Sequence, residues 1–256
     1  MLLALDIGNS NVVLGIHNGK EWLNIWRFPT LVSENPILFY QDKIGNQFIE
    51  NGLLLTDIDQ VVISSVVPEL KEPFRVLVKE YLGLEPLILG SDLYDHLKLK
   101  TERPDELGTD LYANATAAHH LFQQDCIIVD FGTALTFTII DRNGKLLGVN
   151  IAPGLKTAIH ALFLKTAQLP EVPLIYPKSV VGKNTTHAIQ SGILVGYVGL
   201  VRHMVEAIQA ELGTSFKPIA TGGLVSVLKS LHSFFYAIEP NLTLDALRVI
   251  AAQIKV

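Results

Sequence analysis

Two short segments hold residues suited to gripping a polyphosphate. The first is Leu5-Asp6-Ile7-Gly8-Asn9-Ser10-Asn11, leading into Val12-Val13-Leu14-Gly15-Ile16; the second is Val129-Asp130-Phe131-Gly132-Thr133-Ala134, leading into Thr136-Phe137-Thr138-Ile139-Ile140. In each, an apolar run ends in Asp and is followed by a tight turn rich in Gly and small hydroxyl or amide residues. Such a turn offers backbone N–H groups and short side-chain donors to an anion. Asp6 could hold a divalent cation between phosphates while Gly8, Asn9, Ser10 and Asn11 wrap the phosphate oxygens. An ordinary hairpin, whose Asp and Asn satisfy their own turn, is the alternative for either copy alone. Two copies about half the chain apart favour a pair of phosphate loops.

A third segment, Pro104-Asp105-Glu106-Leu107-Gly108-Thr109-Asp110, precedes an alanine-rich helical stretch over 111–122. A helix start has spare amide donors, and Asp110 stands where a carboxylate caps it. The same position suits a general base that accepts a hydroxyl proton during phosphoryl transfer. Ala152-Pro153-Gly154 and Ala220-Thr221-Gly222-Gly223 are further turn-to-helix junctions, where glycine lets backbone approach a ligand or simply pack. Other nucleotide signatures are absent. Pro177 and Asn184 break the phosphate-loop pattern around Gly182-Lys183, no Gly-x-Gly-x-x-Gly follows a strand, and the eight histidines have no metal-ligand spacing.

These residues need scaffolds. Asn18-Gly19 and Asn143-Gly144 each join β-rich runs, the strongest short hairpin signal, so each phosphate-type turn opens a three-strand meander. Further along, 60–67 reads as a buried strand, 69–82 as a helix and 86–90 as a short strand. In the second half, 154–169 and 188–212 read as helices, 217–221 as a strand, and helices start near Leu224 and Thr243. Hairpins followed by strand–helix alternation predict an α/β fold with mixed sheets. The echo divides the chain into domains 1–118 and 119–256.

Composition narrows the function. The 256 residues carry a net charge of −5, with 49 % hydrophobic and 18 % charged residues. That excludes a disordered chain and argues against a nucleic-acid partner bound through phosphate neutralisation. The single cysteine, Cys126, forms no internal disulfide. Residues 1–6 lack a basic leader segment, and the apolar stretch 192–201 is too short to span a bilayer. A cytoplasmic protein without a membrane partner is expected.

Taken in order, Asp6-Ile7-Gly8-Asn9-Ser10, Ile63-Ser64-Ser65-Val66-Val67-Pro68, the 104–110 segment, Asp130-Phe131-Gly132-Thr133-Ala134-Leu135-Thr136, Ile151-Ala152-Pro153-Gly154, Gly182-Lys183-Asn184-Thr185 and Ala220-Thr221-Gly222-Gly223 resemble type III pantothenate kinase. The resemblance covers the whole chain. It implies two ribonuclease H-like domains of the acetate kinase, sugar kinase and actin superfamily, with a nucleotide cleft between them. It implies transfer of the ATP γ-phosphate to the 4′-hydroxyl of pantothenate, the first step of coenzyme A biosynthesis, in a homodimer. By position, Asp6, Ile7, Gly8, Asn9, Ser10, Asn11, Val12 and Val13 would form the first ATP loop, with Asp6 near Mg²⁺, and Thr133 would touch ATP from the second. Asp110 would be the proton acceptor; Gly108, Thr109, Asp110, Leu111 and Thr185 would line the pantothenate site. Asp130 would bind a monovalent cation, K⁺ or NH₄⁺.

Three positions depart from the family pattern. Leu111 stands where an arginine usually follows the catalytic aspartate, Thr101 where a tyrosine is usual, and Ser10 where threonine is usual. Leucine replaces neither the charge nor the donors of arginine, and Arg103 is the nearest substitute in sequence. The departures leave two alternatives open: a non-catalytic regulatory relative, or a kinase acting on another small hydroxyl compound.

Overall fold

Both meanders form, and each nucleates one of two α/β units in a computed structural model that describes residues 1–32, 36–94, 96–97 and 99–254. The first unit comprises Met1–His120 and the chain from Thr243 onward; the second is Leu121–Leu242.

In the first unit, β1 (Leu2–Ile7), β2 (Asn11–His17) and β3 (Trp22–Pro29) are antiparallel neighbours. They are followed by α1 (Pro36–Glu50), β4 (Gln60–Ser65), α2 (Pro68–Leu82), β5 (Leu87–Ile88), α3 (Ser91–Tyr94) and α4 (Thr109–Phe122). The sheet runs β3-β2-β1-β4-β5, with β1, β4 and β5 parallel. Central β1 is buried on both faces, which explains its unbroken apolar run. Leu3, Leu5 and Ile7 pack with Tyr40, Ile44 and Phe48 of α1 and with Leu70, Phe74 and Leu77 of α2. Each such fully buried side chain contributes about 1.5–3 kcal/mol.

The second unit repeats this order as β10-β9-β6-β7-β8. Its elements are β6 (Cys126–Phe131), β7 (Ala134–Ile140), β8 (Leu146–Pro153), α5 (Leu155–Lys165), α6 (Thr185–Gln190), a π-helical turn (Ser191–Val195), α7 (Gly196–Leu212), β9 (Lys217–Thr221) and β10 (Ala237–Ile238). Ile127, Val129 and Phe131 of β6 pack with Tyr197, Val201 and Val205 of α7. Burial pushes the Cys126 thiol up to about 12, so this cysteine is inert core.

Three expectations change in the folded chain. The final helix α8 (Leu242–Gln253), assigned by sequence to the 119–256 half, packs with the first unit from Thr243 on. Trp22 Nε1 donates to Asp245 at 2.9 Å, Thr243 Oγ1 to Asn114 Oδ1 at 2.8 Å, and Gln60 Nε2 to the Ala251 carbonyl at 3.1 Å. Gly15 makes room for this packing: a Cβ there would lie 2.7 Å from the Trp22 ring and 3.0 Å from Leu244. Second, no α-helix begins at Leu224; 3₁₀ turns occupy Val225–Val227 and Lys229–Phe234. Val225, Leu228 and Leu231 are buried at a spacing of three, the period of a 3₁₀ helix. Third, the apolar 192–201 stretch lies inside Thr185–Leu212, a 28-residue helical run long and apolar enough to cross a membrane by composition alone. Its Leu194, Tyr197, Val201 and Val205 stripe is spent on the core of its own unit.

Candidate active site

In the first unit the chemistry-bearing residues gather at the C-terminal ends of β1 and β4. This edge of a parallel strand pair is where α/β folds place ligands. Asp6, half-buried near the end of β1, lies in register with Ser64 of β4 and Val13 of β2. Beyond it the turn bulges outward: the Gly8 N–H donates to the Asn11 carbonyl at 2.9 Å, and Asn9, Ser10 and Asn11 are exposed. Thr30 fastens the turn from behind, its Oγ1 donating to the Gly8 carbonyl at 2.6 Å and its N–H to the Ser10 carbonyl at 3.1 Å. Ile7 and Val12 are core residues and Val13 is buried, so any contact they make with a ligand is through backbone.

The 104–110 segment reaches the same edge through hydroxyls. Ser64 Oγ donates to Thr109 Oγ1 at 3.0 Å, and Thr109 Oγ1 donates to the Ser65 carbonyl at 3.2 Å. The start of α4 is therefore tied to the end of β4, next to the strand that carries Asp6. Asp110 follows directly. Its Oδ1 accepts the Leu111 N–H at 2.8 Å, and burial raises its pKa above the usual carboxylate range. Gly108 permits this packing, because a Cβ there would stand 2.7 Å from Asp110 Oδ1. A carboxylate with a raised pKa is a better proton acceptor than a fully solvated one.

Aromatic residues that sequence reasoning passed over brace this segment. Tyr94 and Tyr112 stack with ring centroids 3.6 Å apart and planes 1° from parallel. The Tyr112 hydroxyl reaches the Tyr94 and Leu99 carbonyls at 3.3 and 3.1 Å, and the Tyr94 hydroxyl donates to the Leu107 carbonyl at 3.4 Å. Burial, with the nearby charges of Asp110 and Asp92, raises the Tyr94 pKa and keeps it neutral. Leu111 is half-buried. Arg103, the nearest arginine in sequence, has an exposed guanidinium paired with Glu106 at 3.2 Å. Thr101 Oγ1 accepts the Arg103 N–H at 3.3 Å.

The second unit holds Asp130, Thr133 and Thr185. Its phosphate-type turn is one residue shorter than the first, closing between Phe131 and Leu135 where the other closes between Ile7 and Val12. Thr133 is exposed, and its carbonyl is fixed twice, by the Gly154 N–H at 3.0 Å and Thr157 Oγ1 at 2.6 Å. Asp130 lies in register with Thr136 on β7 and Thr221 on β9. Thr221 Oγ1 donates to the Glu239 carbonyl at 2.7 Å. Gly222, at φ +95°, passes so close that any Cβ would collide with Asp130 Oδ1. One carboxylate flanked by two hydroxyls is a hard-oxygen set, which fits a weakly polarising cation. No cluster of three or more His, Cys, Asp or Glu side chains capable of holding a metal occurs among the described residues. Thr185 is exposed at the first turn of α6, behind the cap Asn184, whose Oδ1 accepts the His187 N–H at 2.9 Å.

A family model described as type III pantothenate kinase matches residues 2–207. A type III pantothenate kinase of Roseiflexus sp. (strain RS-1) is 40 % identical over 254 residues, covering 98 % of each chain. Among solved structures, a protein described as a Baf family transcriptional activator from Campylobacter jejuni superposes with a TM-score of 0.55 at 20 % identity, covering 98 % of each chain. MreB5 of Spiroplasma citri bound to ADP superposes with a TM-score of 0.55 at 11 % identity, covering 98 % of this chain and 96 % of the other. The two-unit α/β fold expected from the sequence is shared with these structures.

Proposed function

The chain belongs to the type III pantothenate kinase family, and from that premise we propose that it transfers the γ-phosphoryl group of ATP to the 4′-hydroxyl of pantothenate, yielding 4′-phosphopantothenate and ADP. The observation that carries this reading is the Asp110 carboxylate, partly desolvated and held at the start of α4 by the Ser64–Thr109 tie.

In the proposed reaction the 4′-hydroxyl oxygen attacks the γ-phosphorus while the bond to the β-phosphate oxygen breaks. Asp110 accepts the hydroxyl proton, and the displaced oxygen leaves with ADP. The turn formed by Gly8, Asn9, Ser10 and Asn11 supplies donors to the phosphates, and Ile7, Val12 and Val13 hold that turn from the core. We assign Thr133 to ATP and Gly108, Thr109, Leu111 and Thr185 to pantothenate. Asp6 would hold Mg²⁺, which when bound would offset phosphate charge. Asp130 would hold the monovalent cation, adding positive charge to an acidic protein that takes an anionic nucleotide.

The reading also includes a homodimer in the cytoplasm. Support for self-association comes from apolar side chains exposed on the second unit, including Ile151 on the edge strand β8 and Leu164, Val180 and Val181. Light scattering on the purified chain tests it. The catalytic reading is tested by incubating the protein with ATP, Mg²⁺, K⁺ and pantothenate and identifying the product by mass. Formation of 4′-phosphopantothenate is expected; a folded protein that makes none contradicts the assignment and favours the non-catalytic alternative.

A further inference from the structure

The two units share a topology but treat their strand-end aspartates differently. Asp6 has Val13 opposite it on the neighbouring antiparallel strand, and the Ser64 hydroxyl on its other side is spent on Thr109. Asp130 has Thr136 in the matching position. Paired residues on adjacent strands point to the same face, with Cα atoms about 4.5–5.5 Å apart. The Thr136 and Asp130 side chains therefore leave the sheet side by side on one face. Thr136 is 8 % exposed, and its Oγ1 is shielded from solvent with no hydrogen-bond partner in the protein.

A buried hydroxyl without a partner is unfavourable. Valine has nearly the same shape, suits a β-strand better, and is what the first unit uses. A threonine kept here at a cost needs a ligand to account for it. We propose that Thr136 Oγ1 would be a direct ligand of a monovalent cation held by Asp130, on the sheet face that both side chains share. Resting on the assignment of Asp130 made above, this names the second protein ligand. One carboxylate and neutral hydroxyls sum to a single negative charge, which a monovalent ion neutralises. Thr221, its proton committed to the Glu239 carbonyl, keeps lone pairs on the same face.

The test is thermal unfolding of the full-length protein in choline chloride against rising KCl at constant ionic strength. The wild-type midpoint should rise with K⁺ and saturate. Thr136→Val should be at least as stable as wild type in choline, yet need roughly tenfold or more K⁺ for half its effect, no less than the cost of losing a group that only supports a metal ligand. Thr136→Ser, which keeps the hydroxyl, should retain most of the wild-type response. An unchanged K⁺ response in Thr136→Val overturns the proposal, as does failure of that isosteric variant to fold. Asp130→Asn separates the two levels. If it loses the response while Thr136→Val keeps it, only the Thr136 ligand is wrong. If Asp130→Asn responds like wild type, or wild type shows no response, the cation assignment fails and takes the proposal with it.

Discussion

Ser64 Oγ, on a fully buried residue, donates to Thr109 Oγ1, which in turn donates to the Ser65 carbonyl. This relay joins the strand beside Asp6 to the helix start that carries Asp110, although 45 residues separate the two hydroxyls in sequence. Positioning of the proposed base depends on it.

Thr109→Val keeps the shape and removes the relay, leaving the buried Ser64 hydroxyl without its acceptor. It should cost about 1–3 kcal/mol in urea unfolding. Turnover should fall more than the affinity for ATP, because small misplacement of a catalytic group is costly, up to roughly 10²-fold for 1 Å. Steady-state kinetics with each substrate varied would show the split; unchanged turnover would mean that α4 positions Asp110 without the relay.

Asp110 has a raised pKa in the folded chain because burial disfavours its charge. The sign follows: the folded state binds the proton more tightly, so its stability falls as pH rises from the unfolded value, about 3.9, through the folded one. Asp110→Asn retains an acceptor for the Leu111 N–H and removes the buried charge. It should melt at higher temperature than wild type at neutral pH, with the gap closing as pH drops towards 4. A melting-temperature series against pH checks this, and a variant less stable at neutral pH would contradict it.

The Asp125–Arg142 pair acts in the opposite direction. Hydrogen bonding by Arg142 holds the Asp125 carboxyl below its usual range, so its stabilisation is present above the unfolded pKa and is lost as pH falls through the folded one. Asp125 is buried but the Arg142 side chain is two-thirds exposed, so solvent screens the pair and the gain is small. Arg142→Ala should lose that gain at pH 7, and the loss should shrink as pH falls below the unfolded carboxylate value of about 3.9, read by denaturant titration.

Gly222→Ala forces a Cβ into a left-handed backbone position, costing roughly 1–2 kcal/mol, and drives it against Asp130 Oδ1. The variant should be destabilised in urea and should lose the K⁺ response through displacement of the carboxylate. A variant as stable as wild type would show that the loop relaxes freely.

Local patterns made much of this architecture legible in the sequence. Apolar, β-rich runs and Asn-Gly turns announced both meanders, with Gly19 and Gly144 at the positive φ such turns require. The strand-end aspartates and the glycine before Asp110 could be found because their neighbours in space are neighbours in sequence. The parts that were not legible depend on distant pairings. Thr30 pins the Gly8 turn from 22 residues away, Tyr94 stacks on Tyr112, and α8 joins the first unit through Trp22, Gln60 and Asn114. None of these leaves a period or a motif. Thr136 is the instructive case: within its strand it reads as an ordinary β-former, and only its register with Asp130 and its unpaired hydroxyl distinguish it from Val13.

The most direct test compares turnover of wild type and Asp110→Asn on ATP and pantothenate, with nucleotide binding measured separately. Wild type should form 4′-phosphopantothenate, and the variant should bind ATP normally while losing roughly 10²-fold or more in turnover, the usual contribution of a general base. Near-wild-type turnover in Asp110→Asn would contradict the account and reduce Asp110 to a first-turn residue that accepts the Leu111 N–H.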